Sequence, residues 1–361
     1  VRIALMSPWN DCCGVAVHAW LLGSAWLRAG HELIVFAPLD EVLKGRMPVD
    51  APDEDFVRRC WVMHQHADRL EEAPELFLDM SPLLEEGFDV LFVEKPCSAP
   101  LRGLTHIIHE LKQKGPVVAI MHAGVVPRPK AFYQIRWDLA TVFDKRFYNL
   151  YGRLINARRV EIVPYPFHPV VEGDKKAARH ALDLPLEAPL LLAFGVRAKH
   201  LWPIMPYLAH LADERGLKLL IIAKHGEGLR HALALSTRYG FVEVRRAAPH
   251  YEELYTYHHA VDAVLLHRPP ADYVPISSTV HLCLGAMRPL ICPDNNYFEV
   301  YDGAVVKYRD PEDMVAKLEL VLEGGALVEE VLRKARRLIE GRTAKEVAEQ
   351  LLKLALEAGR A

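Results

Sequence analysis

The longest apolar runs of this chain, such as 188–196 and 217–223, have the length of a β-strand. One after another is followed by a loop and then by apolar residues at helical spacing. This alternation leaves few folds open. A strand buried on both faces reads as a short continuous apolar run, and reaching a parallel neighbour takes a crossover, usually a helix. The expected fold class is therefore α/β, with parallel sheets covered by helices on both faces. In the first half the spacing predicts strands at 2–7, 31–37, Val90–Glu94, 117–121 and 161–163, with helices at 15–29, stopped by Gly30, and Leu101–Lys114. In the second half it predicts strands at 190–195, 217–223, Val242–Arg245, 262–266, 289–292 and 305–308. Helices are expected there at 175–182, 201–215, 251–259, 280–287, 311–322, 328–339 and 343–358. The polar, proline-bearing segment 40–82 reads as loops with a short helix or two.

A chain of 361 residues exceeds one ordinary domain. Residues 164–184 hold three prolines, one glycine and a polar helix, which marks a boundary. The expected division is 1–165 and 166–342, two doubly wound Rossmann-like domains, followed by a terminal helix at 343–361 placed to pack back on the first. A hydrophobic content of 51 % supplies two cores, and 44 Lys+Arg against 47 Asp+Glu gives no global pull toward nucleic acid. No apolar run approaches the ~18 residues of a membrane span. The opening VRIALMS reads as a strand rather than a signal peptide, so a cytoplasmic location is expected. The six cysteines include no CxxC pair, and reduced thiols are expected.

Four places carry chemistry. Stretch 264–296 runs from a strand through a loop with Pro269, Pro270 and Pro275 to Ser277-Ser278-Thr279, then a helix and a second strand. Hydroxyls and free N–H groups at a helix start suit an anion; the plain alternative is an N-cap. The loop after the first strand, Pro8 to Gly14, has one of the three glycines of a dinucleotide fingerprint. His122 stands just past a strand, on the edge that Gly14 shares; either it faces a ligand crevice or it ties down its loop. In FGVRAKH, Arg197 and Lys199 complement phosphate, or are solvated loop cations. Metal ligation is not expected: His64/His66 and His106/His109 each lack a third ligand at a telling distance. Segment 128–159 interleaves arginines and lysines with aromatics. It reads as a basic aromatic surface for a lipid-linked or glycan acceptor, with peripheral membrane contact, or as an amphipathic helix pair with aromatics inward.

Together these places resemble the GT-B glycosyltransferases, and among them glycosyltransferase family 4. CGVAVHAWLLGSAWLRAGHEL (13–33) is similar to the family's glycine loop and first helix, with Gly14, His18, Gly30 and His31 in matching places. IMHA resembles the strand end whose histidine approaches the donor sugar, which gives His122 that role. FGVRAKH resembles the loop whose cations hold the donor diphosphate, and PPADYVPISSTVHLCLGAMRPLI resembles the donor loop and helix. The resemblance implies two domains facing each other across a cleft. Where the family has two glutamates this chain has Val274 and Leu282, which accept no hydrogen bond; Asp272 and His281 are the neighbouring substitutes.

The implied function is metal-independent, retaining transfer of a sugar from a nucleotide diphosphate sugar, without a cofactor, to an unknown acceptor. His122 and Asp272 are the catalytic candidates. Gly14, Arg197, Lys199, Ser277, Ser278, Thr279 and His281 are the donor-binding candidates. Two alternatives stay open: a binding protein on this fold that has lost transfer, and a nucleotide-sugar epimerase.

Overall fold

The computed structural model describes residues 1–39, 47–195 and 197–360. Positions 40–46 of the expected loop region, and Val196 of FGVRAKH, lie outside the described residues. The chain divides into two units. The first comprises Val1–Met47, Pro52–Pro166 and Arg342–Ala361; the second comprises Pro48–Ala51 and Phe167–Gly341.

The first unit holds seven strands: β1 (Arg2–Met6), β2 (Glu32–Pro38), β3 (Val57–Trp61), β4 (Val90–Glu94), β5 (Val117–Ile120), β6 (Leu139–Val142) and β7 (Val160–Ile162). They form one parallel sheet in the order β3-β2-β1-β4-β5-β6-β7. The four residues after Arg2 in β1, and all of β4, β5 and β6, are buried, as expected of strands covered on both faces. Helix Gly14–Arg28 ends where Gly30 takes φ +82°, a left-handed conformation that glycine adopts without strain. Trp26 of that helix stacks on Phe92 (5.0 Å) and donates its indole N–H to the Ala348 carbonyl (3.0 Å), which fastens the last helix, Ala344–Arg360, to this unit.

The second unit holds six strands: β8 (Leu190–Ala193), β9 (Lys218–Ile222), β10 (Val242–Arg245), β11 (Ala263–Leu265), β12 (Leu290–Pro293) and β13 (Val306–Tyr308). They too are parallel, in the order β10-β9-β8-β11-β12-β13. Segment 48–51 joins this unit through Asp50. Its amide donates to the Ala248 carbonyl, and its carboxylate accepts from the Ala248 amide, both at 2.7 Å. The expectation of two doubly wound α/β domains holds unit by unit.

Three elements depart from expectation. Strand β3, VRRCW, carries two arginines that give it no apolar run. It is an edge strand, and Arg58 and Arg59 bind Glu86 and Asp53 (3.3 and 2.6 Å). Strand β6 lies inside segment 128–159 between short helical turns, so the segment is not a plain helix pair, but its aromatics turn inward as that alternative expected. Phe132, Trp137, Phe143, Phe147 and Tyr151 are all buried around that strand. Helix Gly226–Arg238, which was not expected, begins with Gly226 and Gly228, both poor helix formers, and buries Ala232 and Leu235.

Candidate functional site

In a parallel sheet all C-terminal strand ends share one edge. Ligands bind there, at the point where the strand order reverses. In the first sheet that point lies between β1 and β4, and in the second between β8 and β11.

At the first switch point three neighbouring strands bring together His18, Glu94 and His122. His18 lies in the helix after β1, Glu94 closes β4, and His122 follows β5. Their side chains are 3 %, 0 % and 7 % exposed. Glu94 Oε1 accepts from His18 Nδ1 at 2.7 Å, and Oε2 accepts from His122 Nε2. Burial works to raise the Glu94 carboxyl, but the facing imidazoles outweigh it and hold it at about 2. An ionised carboxylate only accepts, so both imidazoles must donate to it. Burial lowers His122 to about 4 against the opposing pull of Glu94, so it is neutral at pH 7. With Nε2 donating, neutral His122 has Nδ1 as an acceptor. The rings of Phe143 and Tyr165 pack on both histidines, and the Tyr165 hydroxyl donates to the Gly14 carbonyl at 2.7 Å. Gly14 and His122 thus belong to one packed assembly. Its two nitrogens and one oxygen, all within 4.8 Å of one another, have the composition of a metal-ligand set. Both carboxylate oxygens, however, already take an imidazole N–H.

At the second switch point β8 is followed by Gly195, Arg197, Lys199 and His200, and β11 by His267 and Arg268. Arg197 is exposed at the start of the 3-10 turn Ala198–Ile204, and Lys199 pairs with Glu227 at 3.6 Å. Burial lowers the His200 imidazole, and Arg197, Lys199 and Arg268 push it the same way, with Glu227 opposing. All three cations thus act on that imidazole in the same direction. Burial also brings His267 down to about 4, where its Nδ1 meets the Tyr308 hydroxyl at 2.5 Å.

Gly195 joins these segments. It has φ +65°, and a Cβ there would stand 2.3 Å from Thr279 Oγ1. Alanine at 195 is expected to cost about 1–3 kcal/mol through left-handed strain and displacement of Thr279. Chemical denaturation of Gly195→Ala checks this.

The remaining predicted residues divide. Ser277 caps helix Ser278–Cys283, its side chain accepting from the Val280 amide at 3.4 Å, and its own amide meets the Tyr301 hydroxyl at 3.3 Å. The N-cap alternative therefore describes Ser277. Ser278 is half-buried and Thr279 buried against Gly195. His281 is 5 % exposed and stacks on Phe167 (4.1 Å), packed into the unit rather than standing at its edge. Asp272 is exposed in the loop and Val274 half-buried. Leu282 is 1 % exposed.

Sequence reasoning missed Glu94, although a carboxylate closing the apolar run VLFVE was a visible signal. It also missed His200, His267 and Arg268, the last two being polar residues between the strand and the prolines. It gave no role to Asn295 and Asn296. Asn295 Nδ2 donates to the Arg268 carbonyl (2.8 Å), and Asn296 binds the Ala271 amide and carbonyl (3.0 and 2.8 Å), so both pin the β11 loop to the next one.

No family model matches the sequence. Several solved structures share its fold. HepE of Anabaena, in complex with UDP and glucose, is 11 % identical over 98 % of both chains, with a TM-score of 0.66. A sucrose-phosphate synthase from Thermosynechococcus elongatus is 15 % identical over 98 % of both, with a TM-score of 0.61. AviGT4, a glycosyltransferase involved in avilamycin A biosynthesis, is 16 % identical over 100 % of this chain and 97 % of its own, with a TM-score of 0.57. At such identities the likeness establishes the architecture: this chain has the GT-B fold. A fold alone does not carry a reaction.

Proposed function

We propose that the protein transfers a glycosyl group from a nucleotide diphosphate sugar to an acceptor hydroxyl. The observation that carries this reading is the cation cluster at the β8/β11 switch point. Arg268 donates to the Gly195 carbonyl, in the loop that carries Arg197 and Lys199, and all three cations act on His200; Glu227, the carboxylate that opposes them there, lies on the surface. Like charges gathered with so little compensation favour an anion, and a diphosphate leaving group is one. That HepE, of like fold, was solved with UDP and glucose agrees with this reading.

In this reading Arg197 and Lys199 neutralise charge that develops on the departing diphosphate, a role that divalent metals fill elsewhere. His122, neutral and with Nδ1 as an acceptor, takes a hydrogen bond from a sugar hydroxyl, and Gly14 lets a ligand approach the backbone. Retention at the anomeric carbon belongs to the same reading and is tested by the anomeric NMR signal of the product.

Transfer or donor hydrolysis across UDP-, GDP- and ADP-sugars tests the proposal. Arg197→Ala with Lys199→Ala removes two charge-assisted contacts of about 1.5–3 kcal/mol each, a loss of roughly 10²–10⁴ in kcat/KM. Unchanged activity in the double variant overturns the site. A second reading, a nucleotide-sugar binding protein without transfer, is favoured by the apolar Val274 and the buried Leu282. It predicts thermal stabilisation by the same nucleotide sugars with no turnover.

A further inference from the structure

The loop after β11 adds Arg268 to the two cations of FGVRAKH. Arg268 directly follows the His267 that ends this strand's run, on the opposite side of the switch point from Arg197 and Lys199. Its guanidinium donates to the Gly195 carbonyl, so it touches the loop that carries both other cations. Its Cζ lies over the Tyr297 ring, 5.3 Å from the centre, and the Tyr297 hydroxyl is 2.5 Å from that of Tyr273. The Arg268 carbonyl is held by Asn295. The base of the side chain and its planar end are therefore both fixed. A guanidinium has five N–H donors. Gly195 and Tyr297 are its side-chain partners among the described residues, and no carboxylate is among them.

A surface arginine without a carboxylate ordinarily points into water. This one is turned back against a glycine loop and an aromatic shelf, and Arg197 is close enough to work against its charge. Such an arrangement costs electrostatic energy in the free protein, and a bound anion reverses the sign of that cost. His200 Nδ1 is buried without a hydrogen-bond partner in the same place. The charged and titratable groups bearing on His200 are Arg197, Lys199, Arg268, Glu227 and His267.

We infer that Arg268 is a third diphosphate-binding cation, brought from β11 to face Arg197 and Lys199, with Tyr297 as the shelf that sets its plane. A planar fork held at a fixed angle suits two oxygens of one phosphate, where lysine offers only a point charge. The inference rests on the nucleotide-sugar reading and adds to it a residue that neither loop motif contains.

Equilibrium binding of UDP, GDP, ADP and inorganic pyrophosphate to the full chain tests it, comparing wild type, Arg268→Met and Arg197→Ala. Loss of a forked charge-assisted contact corresponds to weakening by about 10- to 100-fold. That loss is expected for Arg268→Met with pyrophosphate and with whichever nucleotide binds, and the salt dependence of binding should flatten. If the methionine variant does not fold, Arg268→Gln keeps a donor for the Gly195 carbonyl and gives the same readout. Binding within twofold of wild type in the Arg268 variants, while Arg197→Ala loses it, overturns the role of Arg268 and leaves the nucleotide-sugar reading intact. Failure of the wild type to bind any of the four ligands overturns both.

Discussion

Glu94→Ala is expected to melt on the order of 10 °C below the parent protein, from a loss of about 3–5 kcal/mol. Glu94 is fully enclosed and is the hydrogen-bond acceptor for both His18 and His122. Without it two buried imidazole N–H groups lose their partner, and each such group costs its desolvation penalty. The pH dependence follows from the same contact. The carboxyl is held at about 2 in the folded chain, against a reference value of 4.5. Its stabilising contribution is therefore complete above about pH 4.5 and is lost as the pH falls toward 2. His122 adds to the same trend. Burial lowers it from 6.5 to about 4, so the unfolded chain takes up that proton first and stability falls across that interval. Glu94→Gln keeps the shape and one acceptor but cannot ionise. Its melting deficit against wild type is expected to shrink between about pH 5 and about pH 3. Thermal melts across that range decide the matter; a deficit that stays constant would mean that the carboxylate charge adds nothing.

Leu282→Glu, which restores the residue type found in the resembled family, is expected to damage the protein rather than improve it. Leu282 is 1 % exposed in helix Ser278–Cys283, and its carbonyl accepts from the Tyr255 hydroxyl at 2.7 Å. A carboxylate forced into that position has no cation beside it in the helix, and burial of an unpaired charge costs several kcal/mol or drives protonation. The expected result is a melting temperature lower by on the order of 10 °C with no gain in UDP affinity. Tighter UDP binding at an unchanged melting temperature would falsify this, because it would place the new carboxylate against the ribose.

These two sites show what local sequence pattern reports and what it leaves out. The period of apolar residues located eleven of the strands, because a strand covered on both faces has little choice of composition. It missed β3 and β6. In one an edge position admits arginines; in the other the strand lies inside a basic, aromatic segment that masks its apolar run. The cations of FGVRAKH were legible as a charge cluster because they sit in one loop, two residues apart in sequence. Glu94 was not, since its partners stand 76 and 28 residues away.

The sequence by itself therefore determined the α/β class, the two sheets and the loops at whose edges the charges lie. These follow from side-chain period and turn chemistry, which act between near neighbours. Only the tertiary structure decided that His281 and Leu282 face inward and that Arg268 reaches the Gly195 loop. Burial and charge pairing are set by which strands lie side by side, and that order is a property of the folded sheet rather than of any stretch of chain.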